Sequence, residues 1–205
     1  NNFSTTAGVG NDVLADSPTT YDDEGNGVGN YATLNPLSTT SPMSNGNLDF
    51  DGGHTGTHST FSTLFQPSGK YYAEFTVNAI DSSAAYPTLQ IGVAPSTAEA
   101  GNYLDIITYM SHNGNKNAGN YPGTSFGATF TVADVIGIAL DMDSGTATAY
   151  KNGSSQGELA SGLTGSWGFA IRSDAESTCS VNFGQRAFAY TPPTGYKALN
   201  TFNLD

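Results

Sequence analysis

The sequence predicts an all-β domain built as a sandwich of antiparallel sheets. Three observations carry that expectation. Few stretches of the 205 residues hold the Ala, Leu, Glu and Lys mixture that favours helices, and 25 glycines interrupt those that do. Val, Ile, Thr, Tyr and Phe, which suit a pleated and half-buried surface, are frequent. Several runs alternate apolar and polar residues with the period of a strand, and tight-turn sequences separate them. A chain of this length buries a sizeable core as one domain, so residues 1–205 are read as a single unit.

Residues 1–60 are rich in turns, with Asp16-Ser17-Pro18-Thr19, Asp22-Asp23-Glu24-Gly25-Asn26-Gly27 and Asn35-Pro36 as punctuation. Short strands are expected at Tyr31–Leu34, Asn47–Phe50 and Thr60–Leu64. From Lys70 the pattern firms: Tyr71, Ala73, Phe75 and Val77 share one side of a strand, as do Leu89, Ile91 and Val93. Tyr103–Met110 is apolar enough for another strand, and residues 111–125 read as a Gly/Asn-rich loop. Ile136, Ile138, Leu140 and Met142 share a face, while the opposite face is only weakly polar, which suits a central strand. Asp143-Ser144-Gly145 turns the chain into Thr146–Tyr150. Asn152-Gly153, a strong hairpin signal, turns it again, so Val135–Gly157 is a three-stranded antiparallel meander. Trp167–Ile171 and Thr178–Phe183 complete the strands, and Thr191-Pro192-Pro193-Thr194-Gly195 is a rigid extended or turn segment.

Six basic residues stand against 18 acidic ones, a formal net charge of −12. Phosphate neutralisation needs Lys and Arg, so the balance argues against a nucleic-acid binder and against docking on an anionic membrane. Self-repulsion that aids solubility is the plain reading of the charge, and acidic cation sites or a salty environment the sharper one. The lone cysteine, Cys179, permits no intrachain disulfide. It alternates with Val181 and Phe183 onto one face and reads as a buried strand residue. No apolar run approaches the roughly 18 residues of a membrane span, so no membrane insertion is expected.

Chemistry-bearing motifs are sparse. Asp141-Met142-Asp143-Ser144-Gly145 resembles the start of a calcium loop, but the twelfth position is Asn152 where such a loop needs Glu. A hairpin turn explains Asp143 and Gly145 more simply. Asp22 and Asp23 have the carboxylates for a hard cation, yet a solvated acidic loop suffices. No metal site is therefore expected, with Asp22, Asp23, Asp141 and Asp143 as its weak candidates. His54 and His58 are spaced as a zinc pair would be on a helix, but Gly and Thr surround them. No nucleophile elbow, phosphate loop or dinucleotide fingerprint occurs, and no carboxylate pair stands out for glycoside hydrolysis. Neither catalysis nor a cofactor is expected.

Longer patterns carry a resemblance. Gly69-Lys70-Tyr71-Tyr72-Ala73-Glu74-Phe75 and then Leu89-Gln90-Ile91-Gly92-Val93 resemble the first half of a SPRY domain. Asp134-Val135-Ile136-Gly137-Ile138-Ala139-Leu140-Asp141-Met142-Asp143-Ser144-Gly145 with Ala149-Tyr150-Lys151-Asn152-Gly153 resembles its signature core, over about residues 60–185. The stretch Val181–Thr201, with Pro192-Pro193-Thr194-Gly195-Tyr196, is similar to the ending of SPRY domains in bacteriophage tail-fibre and other virion appendage proteins. Asn11–Leu37 is similar to what precedes the domain there.

The resemblance implies a concanavalin A-like, jelly-roll sandwich with residues 1–59 packed on it, as part of a longer virion protein. It implies binding through loops at one edge, without catalytic residues to carry over. The expected role is attachment to a host-surface glycan or protein on the virion surface. Contact with other virion proteins, as a structural or decoration protein, is the alternative, and a polysaccharide depolymerase a more distant one. A homo-oligomer, a trimer by analogy with phage fibres, follows from the same resemblance. Exposed aromatics stack on sugar faces and Asn amides hydrogen-bond to hydroxyls. On that ground His112, Asn113, Asn115, Asn117, Asn120 and Tyr121 form the expected ligand site, with Tyr86, Tyr103 and Trp167 as neighbours.

Overall fold

The computed structural model describes residues 29–38, 41–53, 57–81, 89–99, 105–119, 121–173 and 176–204. Along the chain the strands are β1 (Met43–Ser44), β2 (Asp49–Asp51), β3 (His58–Phe61), β4 (Lys70–Ala79), β5 (Leu89–Pro95), β6 (Ile107–Met110) and β7 (Asn115–Ala118). They continue with β8 (Thr124–Ser125), β9 (Val135–Asp141), β10 (Thr146–Lys151), β11 (Ser154–Ala160), β12 (Trp167–Ser173), β13 (Thr178–Asn182) and β14 (Lys197–Ala198). A single 3₁₀ turn, Pro36–Ser38, is the helical element among the described residues.

Two antiparallel sheets form. The first runs β1-β2-β13-β4-β9-β10-β11, and the second β3-β12-β5-β6-β7-β8. β4 lies at the centre of the first. One of its edges pairs with β9 from Lys70 to Thr76. The other is shared: β13 takes Glu74–Ala79, while β14 runs parallel against Tyr71 and Tyr72.

The alternation read from the sequence decides which side chains meet. Tyr71, Ala73, Phe75 and Val77 of β4 face Leu89, Ile91 and Val93 of β5 across the sandwich, with Ile136, Ile138, Leu140, Cys179, Val181 and Phe183 beside them. Phe169 bridges the sheets, with its ring centroid 6.3 Å from Phe75 and 5.9 Å from Phe183. A small second cluster, Phe61, Ala94, Ile106 and Ala170, lies on the outer side of the second sheet.

The hairpins close as their turn residues dictate. Asn152 and Gly153 both take positive φ, as a type I′ turn requires. The Asn152 side chain also accepts from Val135 N–H and donates to Asp134. At the other turn the Asp141 carboxylate accepts from the amides of Asp143 and Ser144 and pairs with Lys70 at 2.8 Å. Asp143 in turn accepts from Gly69 N–H.

The outer face of the first sheet is held by a buried carboxylate. Glu74 is 3% exposed and accepts hydrogen bonds from the backbone amides of Ala189 and Tyr190. This fastens the C-terminal segment across the sheet. Above it Tyr72 packs edge-on against Phe188 at 5.0 Å and Tyr150 at 6.4 Å.

The structure departs from the sequence expectations in several places, among them an added β1 and a β3 at His58–Phe61 where Thr60–Leu64 was expected. Tyr31–Leu34 is not a strand but two isolated bridges, to Asn200 and Ser62. Residues 111–125 are not all loop, because β7 and β8 form a hairpin within them. β14 is an added strand in the tail.

Candidate functional site

The hairpin β7–β8 extends the edge of the second sheet. Ser111 begins it: its amide donates to the Leu89 carbonyl and its hydroxyl accepts from Leu89 N–H, so the turn is anchored to β5. Asn113 then folds back, its carboxamide oxygen accepting from Asn115 N–H. Gly114 has φ +70 and packs so closely that a Cβ there would collide with the Gly127 carbonyl. Asn115 donates from its carboxamide to the Pro122 carbonyl, which ties the far turn down. Tyr121 in that turn is half exposed, and its ring stacks on His112 at 6.3 Å with 16° between the planes.

The inner side of this hairpin faces β11, the edge strand of the other sheet. Between them lies a groove of about 380 Å³. Ile107, Leu159 and Ala160 give it an apolar base, Lys116, Tyr121 and Pro122 flank it, and Ser161 and Thr124 add hydroxyls. The wall beneath is rigid, because Tyr109 packs against Phe126 at 5.3 Å and Phe130 at 4.9 Å. The Tyr109 hydroxyl donates to the Ala128 carbonyl, and burial, helped by Asp134, pushes its phenol up to about 12.

Lys116 supplies the charge. Its ammonium donates to the Glu158 carbonyl at 3.2 Å and lies 5.6 Å from the centre of the Phe126 ring. Lys70 and Lys151, by contrast, pair with carboxylates, Asp141 and Asp134.

The expected ligand residues divide. His112, Asn113, Asn115 and Tyr121 do come together in the hairpin, though Asn113 and Asn115 are engaged in holding its turns. Asn117 is 1% exposed and faces away from the groove, opposite Thr108, and its carboxamide oxygen has no hydrogen-bond partner among the described residues. Trp167 is not brought to the site. It sits on β12, separated from β7 by β5 and β6, and its indole N–H is bound to the Thr164 carbonyl. Tyr86, Tyr103 and Asn120 lie outside the described residues, as do Asp22, Asp23 and His54.

Asp141 and Asp143 serve the hairpin turn. Among the described residues no three His, Cys, Asp or Glu side chains gather as a metal site would need. Sequence reasoning missed Lys116, Leu159 and Ala160. The one signal for Lys116 was its being the sole basic residue between 111 and 125.

No family model matches the chain. Solved structures do. The SPRY domain of human HERC1 superposes with a TM-score of 0.62 at 18% identity, over 72% of this chain and 96% of that one. The fold is SPRY-like. A second human SPRY domain superposes with a TM-score of 0.54 at 16% identity, over 76% of this chain and 98% of that one. The SPRY-like sandwich supplies both edges of the groove, β7–β8 from one sheet and β11 from the other.

Proposed function

We propose that this SPRY-like domain is a non-catalytic binding module of a bacteriophage virion appendage, and that it engages a host-surface molecule through the groove between β7–β8 and β11. The groove is the observation that carries this reading: an apolar base, a half-exposed tyrosine, hydroxyls and one ammonium converge at an open sheet edge. Ligand sites combine apolar walls with a few placed polar groups in this manner. The virion context rests on the sequence resemblance at Asn11–Leu37 and Val181–Thr201. The non-catalytic character is an analogy to SPRY domains, which are generally interaction modules.

Fluorescently labelled domain, presented as its natural oligomer, is added to cells of candidate hosts and competed with unlabelled protein. Saturable, competable binding that Tyr121→Ala lowers supports the reading. Binding that survives removal of residues 111–125 would dislodge the groove. No binding to a host that the phage infects would instead favour a structural role against other virion proteins.

A further inference from the structure

We infer that the groove takes an acidic sugar, a pyranose ring whose carboxylate pairs with Lys116 while its apolar face lies against Tyr121. This rests on the binding role proposed above and names its ligand class.

Three observations lead there. First, among the described residues Lys116 is an ammonium without a carboxylate partner, in a chain of net charge −12. Its carbonyl bond to Glu158 uses one of three N–H donors, and two remain for a ligand. The Phe126 ring 5.6 Å from it and the carbonyl of Glu158 hold the ammonium in place at the rim of the groove, so a ligand's anion meets a positioned charge. Second, Tyr121 is held by its stacking on His112 yet stays half exposed, so a flat aromatic surface is presented at little entropic cost. Third, the volume of about 380 Å³ falls at the low end of the range of about 300–1,000 Å³ for small-ligand sites, room for one or two sugar rings rather than a folded partner.

The structure also weighs against an extended peptide added to β11. Bulges interrupt the pairing of β11 with β10 at Ala147/Thr148 and Ala149/Tyr150, and Lys116 already occupies the Glu158 carbonyl. Both features make the edge a poor template for another strand. The chain's overall negative charge opposes any anion at long range, so affinity for an acidic ring must come from Lys116 at short range.

The test is titration calorimetry of the domain with 3′-sialyllactose and with a glucuronic-acid-terminated disaccharide, each beside its methyl ester. The acids are expected to bind about tenfold or more tightly than the esters. Lys116→Gln is expected to erase that difference and Lys116→Arg to keep it, with circular dichroism confirming that each variant is folded. Equal affinity of acid and ester in the unsubstituted domain overturns the inference. So does an acid preference that survives in Lys116→Gln. If neither acid binds at millimolar concentration while the labelled domain still saturates host cells, receptor binding stands and the acidic-sugar reading falls. Should Lys116→Gln fail to fold, the acid–ester comparison in the unsubstituted domain decides alone.

Discussion

Replacing Glu74 by Gln tests how the C-terminal segment is fastened. The carboxylate is 3% exposed and receives the amides of Ala189 at 2.7 Å and Tyr190 at 2.9 Å, with the Tyr72 hydroxyl at 3.3 Å. In Glu74→Gln one of the two oxygens becomes an NH₂ group aimed at an N–H donor. One charge-assisted bond is lost and the other falls to ordinary strength. Hydrogen bonds to charged groups contribute about 1.5–3 kcal/mol and neutral ones about 0.5–1.5 kcal/mol. The uncharged side chain is less costly to bury, which offsets part of the loss. The net destabilisation is then about 2–3 kcal/mol, or roughly 4–12 °C in Tm for a chain of this size. Scanning calorimetry gives the Tm, and hydrogen exchange at the 189 and 190 amides locates the effect. Exchange there is expected to accelerate beyond what global destabilisation accounts for. A Tm within about a degree of the unsubstituted domain, with unchanged exchange at both amides, would refute the assignment of Glu74 as the fastening group.

Other expectations follow from the same geometry. Burial alone would raise the carboxyls of Asp134 and Asp141, but the Thr131 amide, Asn152 and Lys151 in the first case, and Lys70 and Ser144 in the second, outweigh it and hold both below the usual range. A depressed folded pKa contributes stability that is present above the unfolded value near 4 and is lost as pH falls through the folded value. Urea titrations between about pH 5 and pH 2 should therefore show a shallower acid loss in Asp141→Asn than in the unsubstituted domain. Gly137→Ala would place a Cβ 2.8 Å from Tyr72 Cζ, with that ring already wedged against Phe188 and Tyr150, and is expected to cost about 2–3 kcal/mol in denaturant midpoints. Cys179 is fully enclosed and burial pushes its thiol up, so a thiol reagent should label it only at the rate of unfolding. Rapid labelling under native conditions would contradict that burial.

The strands that could be read in the sequence are those whose own residues announce a buried face. Tyr71, Ala73, Phe75 and Val77, and again Ile136, Ile138 and Leu140, recur at every second position, and a one-residue slip would turn every one of them out of the core between the sheets. β14 and the bridges at Tyr31 and Leu34 could not be read this way. They exist because distant backbone offers a partner, Tyr71 and Tyr72 for β14 and Asn200 and Ser62 for the bridges, and two residues carry no period. The candidate site was half legible for a related reason. Gly, Asn and Tyr marked residues 111–125 as surface, but Asn115-Lys116-Asn117 contains no apolar residue to say which side faces in. The register decides it: Lys116 opposes Tyr109, a core residue, and Asn117 opposes Thr108 on the other face. An asparagine expected at the ligand is buried, and the lysine between two asparagines lines the groove.

The groove is a property of the closed sandwich rather than of one loop. Its base takes Ile107 from one sheet and Leu159 and Ala160 from the other, residues more than 50 positions apart in sequence. Tyr109 lies beside this junction, its ring in the shared core and its hydroxyl donating to the Ala128 carbonyl on the segment that leads to β9. Lys116 completes the junction by reaching from β7 to the β11 carbonyl of Glu158. The same ammonium that would meet a ligand thus also joins the two sheet edges. A ligand that draws it away must replace that carbonyl bond, whereas one that uses the two remaining donors adds to it. The second arrangement keeps the edges together, with the ammonium lying between the ligand's negative group and the aromatic face of Phe126.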